Sequence, residues 1–221
     1  STKFALGSLC EQQFLYDESL SYLKEALKLV DSDQYQIEMK AKLLVAIGDI
    51  YGLQQQNLKS IEYFKSSMAI YKVLLKQGKY LKLYADAMNS IAVSYSALEK
   101  NKLALEYFLE VLKIRKKQLS DNSQLTQNHF SYIIILVNLA VEYYELEEYE
   151  NAINYILEAV AFTTPLCEQD QETYSYKMFS VLHTAGNILY SVNINKSLKY
   201  YCDGLLINDT KVPIATKIAA K

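Results

Sequence analysis

The 221-residue sequence contains few of the residues that interrupt helices. Glycine occurs six times and proline twice. No apolar run approaches the length of about 18 residues that a membrane-spanning helix needs. The apolar residues recur every three or four positions instead of alternating, which is typical of helices and not of strands. With 51% hydrophobic and 22% charged residues, the chain is predicted to be all-α and to build its own core.

Cysteine and histidine are also scarce. The three cysteines, Cys10, Cys167 and Cys202, are far apart and form no CxxC pair, so neither a disulfide framework nor a zinc site is indicated. We interpret them as buried free thiols. The two histidines, His129 and His183, have no neighbouring nucleophile in helical register, and the sequence has no glycine-rich phosphate loop. We therefore predict no catalytic site, no metal and no cofactor.

Arginine is nearly absent, since Arg115 is the only one among 23 basic residues, and the formal net charge is −2. Because phosphate and base recognition depend on the planar guanidinium group, we do not expect direct contact with nucleic acid. The N-terminal segment STKFALGSLC has one lysine and too short an apolar core for a secretory signal. These features predict a cytoplasmic protein without a membrane partner.

One arrangement of small and bulky residues recurs five times. In the stretch 138–159, Ala140 and Ala152 are small, whereas Tyr143 and Ile156 are bulky. Two helices can cross closely only where one side chain is nearly absent, so we interpret the small residues as helix contacts and the bulky ones as the filling beside them. The first small residue follows a Leu or Ile in four copies and Ala185 in the fifth, at spacings of 41 to 48 residues. These residues are Gly7, Gly48, Ala92, Ala140 and Gly186.

This pattern resembles the tetratricopeptide repeat, in which Leu-Gly, Tyr, Ala, Phe and Ala follow one another in a helix-turn-helix of 34 residues. The present units are longer and lack its tryptophan, and they are similar to the elongated repeats of kinesin light chain and of Gram-positive peptide-sensing regulators. The resemblance implies an α-solenoid, a right-handed superhelix of five helical hairpins forming a single domain over 1–221. Its repeats would be about 1–34, 35–78, 79–122, 123–168 and 169–207.

The helices of these repeats are predicted at about 2–13 and 16–30, 35–54 and 57–77, 80–98 and 101–118, 124–146 and 149–163, and 170–191 and 194–207. Pro165 is expected to end the helix that precedes it. The tail 208–221 is predicted to cap the last repeat, because a solenoid end otherwise exposes a core face. Since Ser1 already falls inside the first predicted helix, we expect this chain to be a segment of a longer polypeptide.

The resemblance also implies where a ligand would bind, because the first helix of each repeat lines the concave side of the solenoid. Groove-facing positions of the family are transferred by their distance from the first small residue of each repeat. The candidate peptide-binding residues are Asp49, Asn89, Val93, Val137, Asn138, Val141, Tyr144, His183, Asn187 and Tyr190. The same transfer reaches Phe4, Ser8, Glu11, Val45, Leu53 and Ser96.

A role for the asparagines follows from their chemistry. A primary amide both donates and accepts, so Asn89, Asn138 and Asn187 are able to hold a peptide backbone while apolar neighbours contact its side chains. The alternative is that an asparagine-rich chain simply places some of them on helix surfaces. A basic cluster at 113–117 and the acidic group Glu142 to Glu150 are interpreted as solvated helix ends, with contact to a partner as the alternative.

Two functional hypotheses follow. The first is a non-enzymatic protein-protein interaction scaffold that binds a peptide or helix of a partner protein in the concave groove. The second is the sensory domain of a bacterial regulator, in which a short signalling peptide changes the conformation of the superhelix. Self-association through the solenoid ends is a further interaction that we consider. The domains that flank this segment would distinguish the two hypotheses.

Overall fold

The computed structural model describes residues 15–31, 36–75, 80–121, 126–190 and 193–207. Within these ranges the chain forms nine helices and no strand, which confirms the all-α prediction. The helices are α1 (Tyr16–Asp31), α2 (Ile37–Leu53), α3 (Asn57–Leu74), α4 (Leu81–Ser96), α5 (Asn101–Asp121), α6 (Thr126–Glu145), α7 (Tyr149–Gln169), α8 (Gln171–Tyr190) and α9 (Ile194–Ile207). None of them is long and apolar enough to cross a membrane.

Several sequence predictions lie outside the described residues. They are the first helix at about 2–13, the groove positions Phe4, Ser8 and Glu11, the thiol of Cys10 and the capping tail 208–221. Three of the predicted helix pairs are present, with α2 packed on α3, α6 on α7 and α8 on α9.

The prediction that Pro165 ends a helix is wrong, because α7 continues through it to Gln169. Proline removes the N–H that would bond to the Ala161 carbonyl, and this normally breaks a helix. Here Cys167, on the turn beyond the proline, is fully buried in a cluster with Tyr174 and Met178 of α8. Tertiary packing of the last turn therefore overrides the local cost of the proline.

The chain divides into two compact units, Ser1–Ile114 and Arg115–Lys221, with the boundary inside α5. In the first unit, Leu23 of α1 packs with Ile47 and Ile50 of α2 in one apolar cluster, and all three side chains are fully buried. A second cluster joins Phe64 of α3 to Ile91 of α4. Each helix of this unit therefore buries one apolar stripe against its neighbours in sequence.

The second unit has its own apolar cluster, in which Met178 and Leu182 of α8 pack against Cys167 of α7, with Phe130 of α6 beside them. Cys167 is not part of a disulfide and is buried, as predicted. Cys202 is also outside any disulfide, but it is exposed, so its interpretation as a buried thiol is wrong. It lies on the outer side of α9, a position that the spacing of cysteines along the sequence does not reveal.

The small residues lie where the helices of a hairpin come closest. A Cβ atom built on Gly48 would lie 2.8 Å from Cε1 of Phe64, and one built on Gly186 would lie 2.6 Å from Cε1 of Tyr201. Both distances are shorter than real contacts of this kind. The predicted register is therefore present in the second and fifth hairpins, where glycine lets the aromatic ring of the second helix lie against the backbone of the first.

The turns inside three of the hairpins have the same backbone geometry. Gln55, Glu99 and Glu147 have φ values of 59°, 57° and 62°, in the left-handed region that non-glycine residues rarely adopt. In the fourth hairpin the N–H of Glu147 bonds to the Tyr144 carbonyl and the N–H of Glu148 to the Tyr143 carbonyl. The other two turns have the same pair of bonds, so three hairpins end their first helix with the same C-terminal motif.

The charged clusters differ in part from their interpretation as solvated helix ends. Lys113 and Lys116 are exposed, and Lys113 bonds to Glu110 one turn earlier. Arg115, however, is only 4% exposed and Glu142 only 2%. For these two residues the interpretation is wrong, because each is buried while most other charged residues of its cluster are exposed.

Candidate functional site

A cavity of about 380 Å³ lies in the first unit between α2, α3 and α4. Three of the candidate residues line it, Asp49 on α2 and Asn89 and Val93 on α4. They are brought together because the first helices of successive hairpins lie side by side, with equivalent positions turned to the same surface. Three groove positions transferred from the family therefore lie at one cavity in this unit.

The mouth of the cavity is apolar on two sides. Leu53 of α2 and Val93 of α4 both line it, and they are 53% and 47% exposed. Asn89 is half-buried beside them, and its side-chain amide makes no hydrogen bond to any described residue. A ligand would therefore meet apolar surface at the mouth together with an amide that is able to donate and to accept.

The inner wall of the cavity comes from buried residues of α3 and α4. Phe64, Ser60 and Ser94 line it and are 3%, 0% and 5% exposed. The Ser60 hydroxyl donates to the Gly48 carbonyl at 2.8 Å, and the Ser94 hydroxyl donates to the Ser90 carbonyl at 2.9 Å. The two hydroxyl oxygens are 3.3 Å apart. These bonds fix the orientation of both hydroxyls.

Gly52, four residues after Gly48, lines the cavity. The cavity is open at this position because glycine has no side chain to fill it. A Cβ atom built on Gly52 would meet only the Ser60 hydroxyl, at an ordinary contact distance of 3.5 Å. The equivalent residues in the later hairpins are Ser96, Tyr144 and Tyr190. Two large aromatic side chains thus stand in the second unit where the first unit has none.

The second unit places the remaining candidates on α6 and α8. Val141 is 37% exposed, Asn138 and Tyr144 are half-buried, and the Tyr144 ring meets the Tyr149 ring edge-on with centroids 5.5 Å apart. Val137 is half-buried on the same helix. These four positions of α6 therefore form a surface with solvent access.

On α8 the candidates interact with the next helix. The Tyr201 hydroxyl donates to the Asn187 side-chain oxygen at 2.6 Å, and the Asn187 amide nitrogen lies 3.4 Å from Nδ1 of His183. The rings of His183 and Tyr201 also meet edge-on. Asn187 thus already has a hydrogen-bond partner, unlike Asn89, whereas Tyr190 projects into solvent with 62% of its surface exposed.

Sequence reasoning missed several residues of the cavity wall. Gly52 and Ser90 occupy the same offsets from Gly48 and Ala92 that supplied other candidates, so the repeat pattern was a usable signal for them. Asn57, Ser60 and Phe64 belong to the second helix of the hairpin, which the groove rule excludes. No sequence pattern indicates that this helix reaches the cavity.

The chemistry available at these surfaces is recognition by contact and hydrogen bonding. Among the described residues, no group of three His, Cys, Asp or Glu side chains has the arrangement to hold a metal ion. The cavity wall offers one carboxylate, amides, hydroxyls and apolar side chains. This composition is that of a binding site in which apolar surface supplies affinity and a few polar groups supply orientation.

Comparison with protein families identifies the tetratricopeptide repeat in two places. One repeat model matches residues 39–117, which include α2 to α4 and most of α5. Another matches residues 134–162, which include the α6–α7 turn. The matches fall on the second, third and fourth predicted hairpins and confirm the resemblance inferred from the small residues.

Solved structures support the same fold at low sequence identity. The tetratricopeptide-like repeats of a putative kinesin light chain from Podosopora anserina are 14% identical with a TM-score of 0.75, covering 94% of this chain and 93% of that one. The apo form of RapI is 20% identical with a TM-score of 0.76, covering 94% and 69%. No curated protein sequence matches the chain.

A third similar structure contains a ligand. The Rap conjugation gene regulator of plasmid pLS20, solved in complex with the Phr* peptide, is 17% identical with a TM-score of 0.66. The match covers 93% of this chain and 52% of the regulator. At these identities the similarity establishes the repeat fold, with elongated helical hairpins, and leaves the ligand to the chemistry of this chain's own residues.

Proposed function

We propose that this chain, which belongs to the tetratricopeptide repeat family, is a non-enzymatic interaction scaffold that binds a peptide or helical segment of a partner protein. The observation that carries the proposal is the cavity of about 380 Å³ between α2, α3 and α4, lined by the candidate residues Asp49, Asn89 and Val93. Repeat proteins of this family use such inner surfaces for extended contacts, because each hairpin adds one more set of side chains to the surface.

The size and lining of the cavity suit a peptide better than an isolated small molecule. Ligand sites generally measure about 300–1,000 Å³, so this cavity is at the small end and suits one or two side chains of a longer ligand. The exposed apolar side chains of Leu53 and Val93 extend the contact beyond the cavity. Asn89 is placed to bond to the ligand's backbone in the way that amides hold extended peptides.

A second candidate function is a sensor of a short signalling peptide. Two observations favour it: the similarity to RapI and the similarity to the regulator solved with the Phr* peptide. Both functions use the same cavity, and they differ in the consequence of binding. A scaffold keeps its conformation when the peptide binds, whereas a sensor changes conformation and passes that change to another domain.

The proposed function is tested by selecting peptides from a random heptapeptide display library on the immobilised chain. The Val93→Ala variant should retain fewer of the selected peptides, because it removes apolar contact at the mouth of the cavity. The matched control is Val73→Ala, on an exposed valine of α3 outside the cavity wall. Absence of any reproducible sequence among the selected peptides, or equal retention by both variants, would contradict the proposal.

Small-angle X-ray scattering distinguishes the two functions once a peptide has been selected. A scaffold should show the same radius of gyration with and without the peptide. A sensor should show a change at saturating peptide concentration, since a ligand shifts a conformational equilibrium only when it binds one form more tightly.

A further inference from the structure

The polar groups of the cavity identify the chemistry of the side chain it receives. We infer that the cavity between α2, α3 and α4 holds a lysine or arginine side chain of the bound peptide, with the cationic nitrogen directed toward Asp49. This inference rests on the proposed function, because it names the ligand group for the same site.

The two buried hydroxyls of the cavity wall have no hydrogen left to donate to a ligand. Ser60 and Ser94 have one hydroxyl hydrogen each, and three contacts compete for them: Ser60 with the Gly48 carbonyl, Ser94 with the Ser90 carbonyl, and Ser60 with Ser94. Two of these three contacts use both hydrogens, so neither hydroxyl has a hydrogen left to donate to a ligand. Ser94 lines the cavity and is 5% exposed, so its hydroxyl presents only a lone pair to a ligand.

The charge of the cavity wall is negative. Among the described residues of the cavity wall, Asp49 carries the only formal charge, and its carboxylate accepts hydrogen bonds without donating any. Asn57, Asn89 and Ser90 are able to adapt, because an amide offers either an oxygen or an N–H group and a hydroxyl both donates and accepts. The Asp49 carboxylate and the Ser94 hydroxyl oxygen can therefore only accept hydrogen bonds from a ligand. A ligand group with several N–H donors and a positive charge complements them.

The mouth of the cavity suits a long aliphatic stem. Leu53 and Val93 present apolar surface on either side of it. The methylene stem of lysine or arginine packs on such surface while the charged end remains near polar groups. Gly52 leaves the space that the stem requires, whereas the equivalent positions in α6 and α8 carry the larger side chains of Tyr144 and Tyr190. The first unit is therefore the part of the chain that selects the basic residue.

The test begins with the same heptapeptide library. Peptides recovered on the unmodified chain should be enriched in lysine or arginine at one position. Asp49→Asn should remove this enrichment and weaken the best peptide about tenfold or more, as truncation of a charge pair does. Asp121→Asn removes one negative charge from an exposed aspartate at the end of α5 and is the matched control. It should leave the enrichment and the affinity of the best peptide unchanged. Circular dichroism of both variants verifies that helicity is retained.

Synthetic versions of the best peptide separate charge from shape. Exchange between arginine and lysine at the enriched position should preserve most of the affinity, whereas citrulline, which has nearly the shape of arginine without its charge, should weaken it about tenfold. Gly52→Tyr should abolish binding of both basic forms by filling the cavity. Equal affinity for the citrulline peptide, or enrichment that persists in Asp49→Asn, overturns the inference.

The outcomes for the two proposals are separate. Recovery of reproducible peptides without enrichment in basic residues would overturn the inference while the proposed peptide-binding function stands. Recovery of no reproducible peptide would contradict the proposed function itself, and the inference with it.

Discussion

The Ser60 hydroxyl donates a 2.8 Å hydrogen bond to the carbonyl of Gly48, twelve residues earlier, and thereby joins the two helices of one hairpin where they come closest. The fifth hairpin repeats this bond between Ser197 and Gly186, also at 2.8 Å. Both serine side chains are fully buried. A hydroxyl is thus found opposite the glycine carbonyl in these two hairpins, and the third has Ala104 at the same position.

Replacing Ser60 by alanine should lower the free energy of unfolding by about 1 kcal/mol, the usual net value of one such hydrogen bond. The reciprocal change, Ala104→Ser, places a hydroxyl at the equivalent position of the third hairpin and should be tolerated with little loss. Urea unfolding followed by circular dichroism measures both values. A larger loss for Ala104→Ser than for Ser60→Ala would contradict the equivalence of the two sites.

Two glycines of α2 should respond in opposite ways to alanine. Gly48→Ala brings a Cβ atom to 2.8 Å from the buried Phe64 ring and should cost about 1–3 kcal/mol by overpacking. Gly52→Ala meets only the Ser60 hydroxyl at 3.5 Å and should stabilise by up to about 1 kcal/mol through helix propensity. Thermal unfolding of both variants measures the difference. Equal effects would show that the close contact at Gly48 does not determine the hairpin.

The left-handed turn between α6 and α7 should be stabilised by glycine. Glu147 has a φ of 62°, which costs a non-glycine residue about 1–2 kcal/mol. Because glycine loses about 0.5–1 kcal/mol in chain entropy, Glu147→Gly should gain about 0.5–1 kcal/mol. Glu148→Gly is the control, since it removes the same charge at a φ of −83° and should bring no gain. The shift in the midpoint of urea unfolding measures the change in stability of each variant.

Tyr71 should make the protein less stable at alkaline pH. Burial raises its pKa to about 12, with a hydrogen bond to Ser67 acting in the opposite direction. In the unfolded chain a tyrosine titrates near pH 10. Between about pH 10 and 12 the unfolded form therefore loses a proton that the folded form keeps, and stability falls as the pH rises.

Tyr71→Phe should reduce this fall, because phenylalanine does not titrate. The free energy of unfolding measured in urea at several pH values gives the slope. Tyr22→Phe, at an exposed position of α1, is the control and should leave the slope unchanged. An unaltered slope in Tyr71→Phe would contradict the assignment.

The candidate site was predictable to the extent that it follows the repeat. Asp49, Asn89 and Val93 were found by their offsets from Gly48 and Ala92, because equivalent positions of stacked hairpins face the same surface. The offsets do not reveal which hairpin holds a cavity. That depends on the size of the single residue at Gly52 and on the reach of Phe64 from the neighbouring helix.

The environment of the asparagines was not predictable from their positions. Asn89 and Asn187 carry the same amide, but the Tyr201 hydroxyl already bonds to Asn187. Tyr201 lies on the second helix of its hairpin, and its distance from Asn187 depends on the close crossing that Gly186 permits. A rule confined to the first helices cannot include such a contact.

The sequence by itself determined that the chain is helical, that its helices form hairpins, and which small residues lie at their crossings. These properties depend on local periodicity and on the volume of single residues, both of which can be read along the chain. Only the tertiary structure decided that α7 continues through Pro165, that Glu142 is buried while the other glutamates of its cluster are exposed, and that two serines use their hydrogens inside the cavity. Each of these depends on groups from helices distant in sequence, because packing and hydrogen-bond competition arise only when those helices meet.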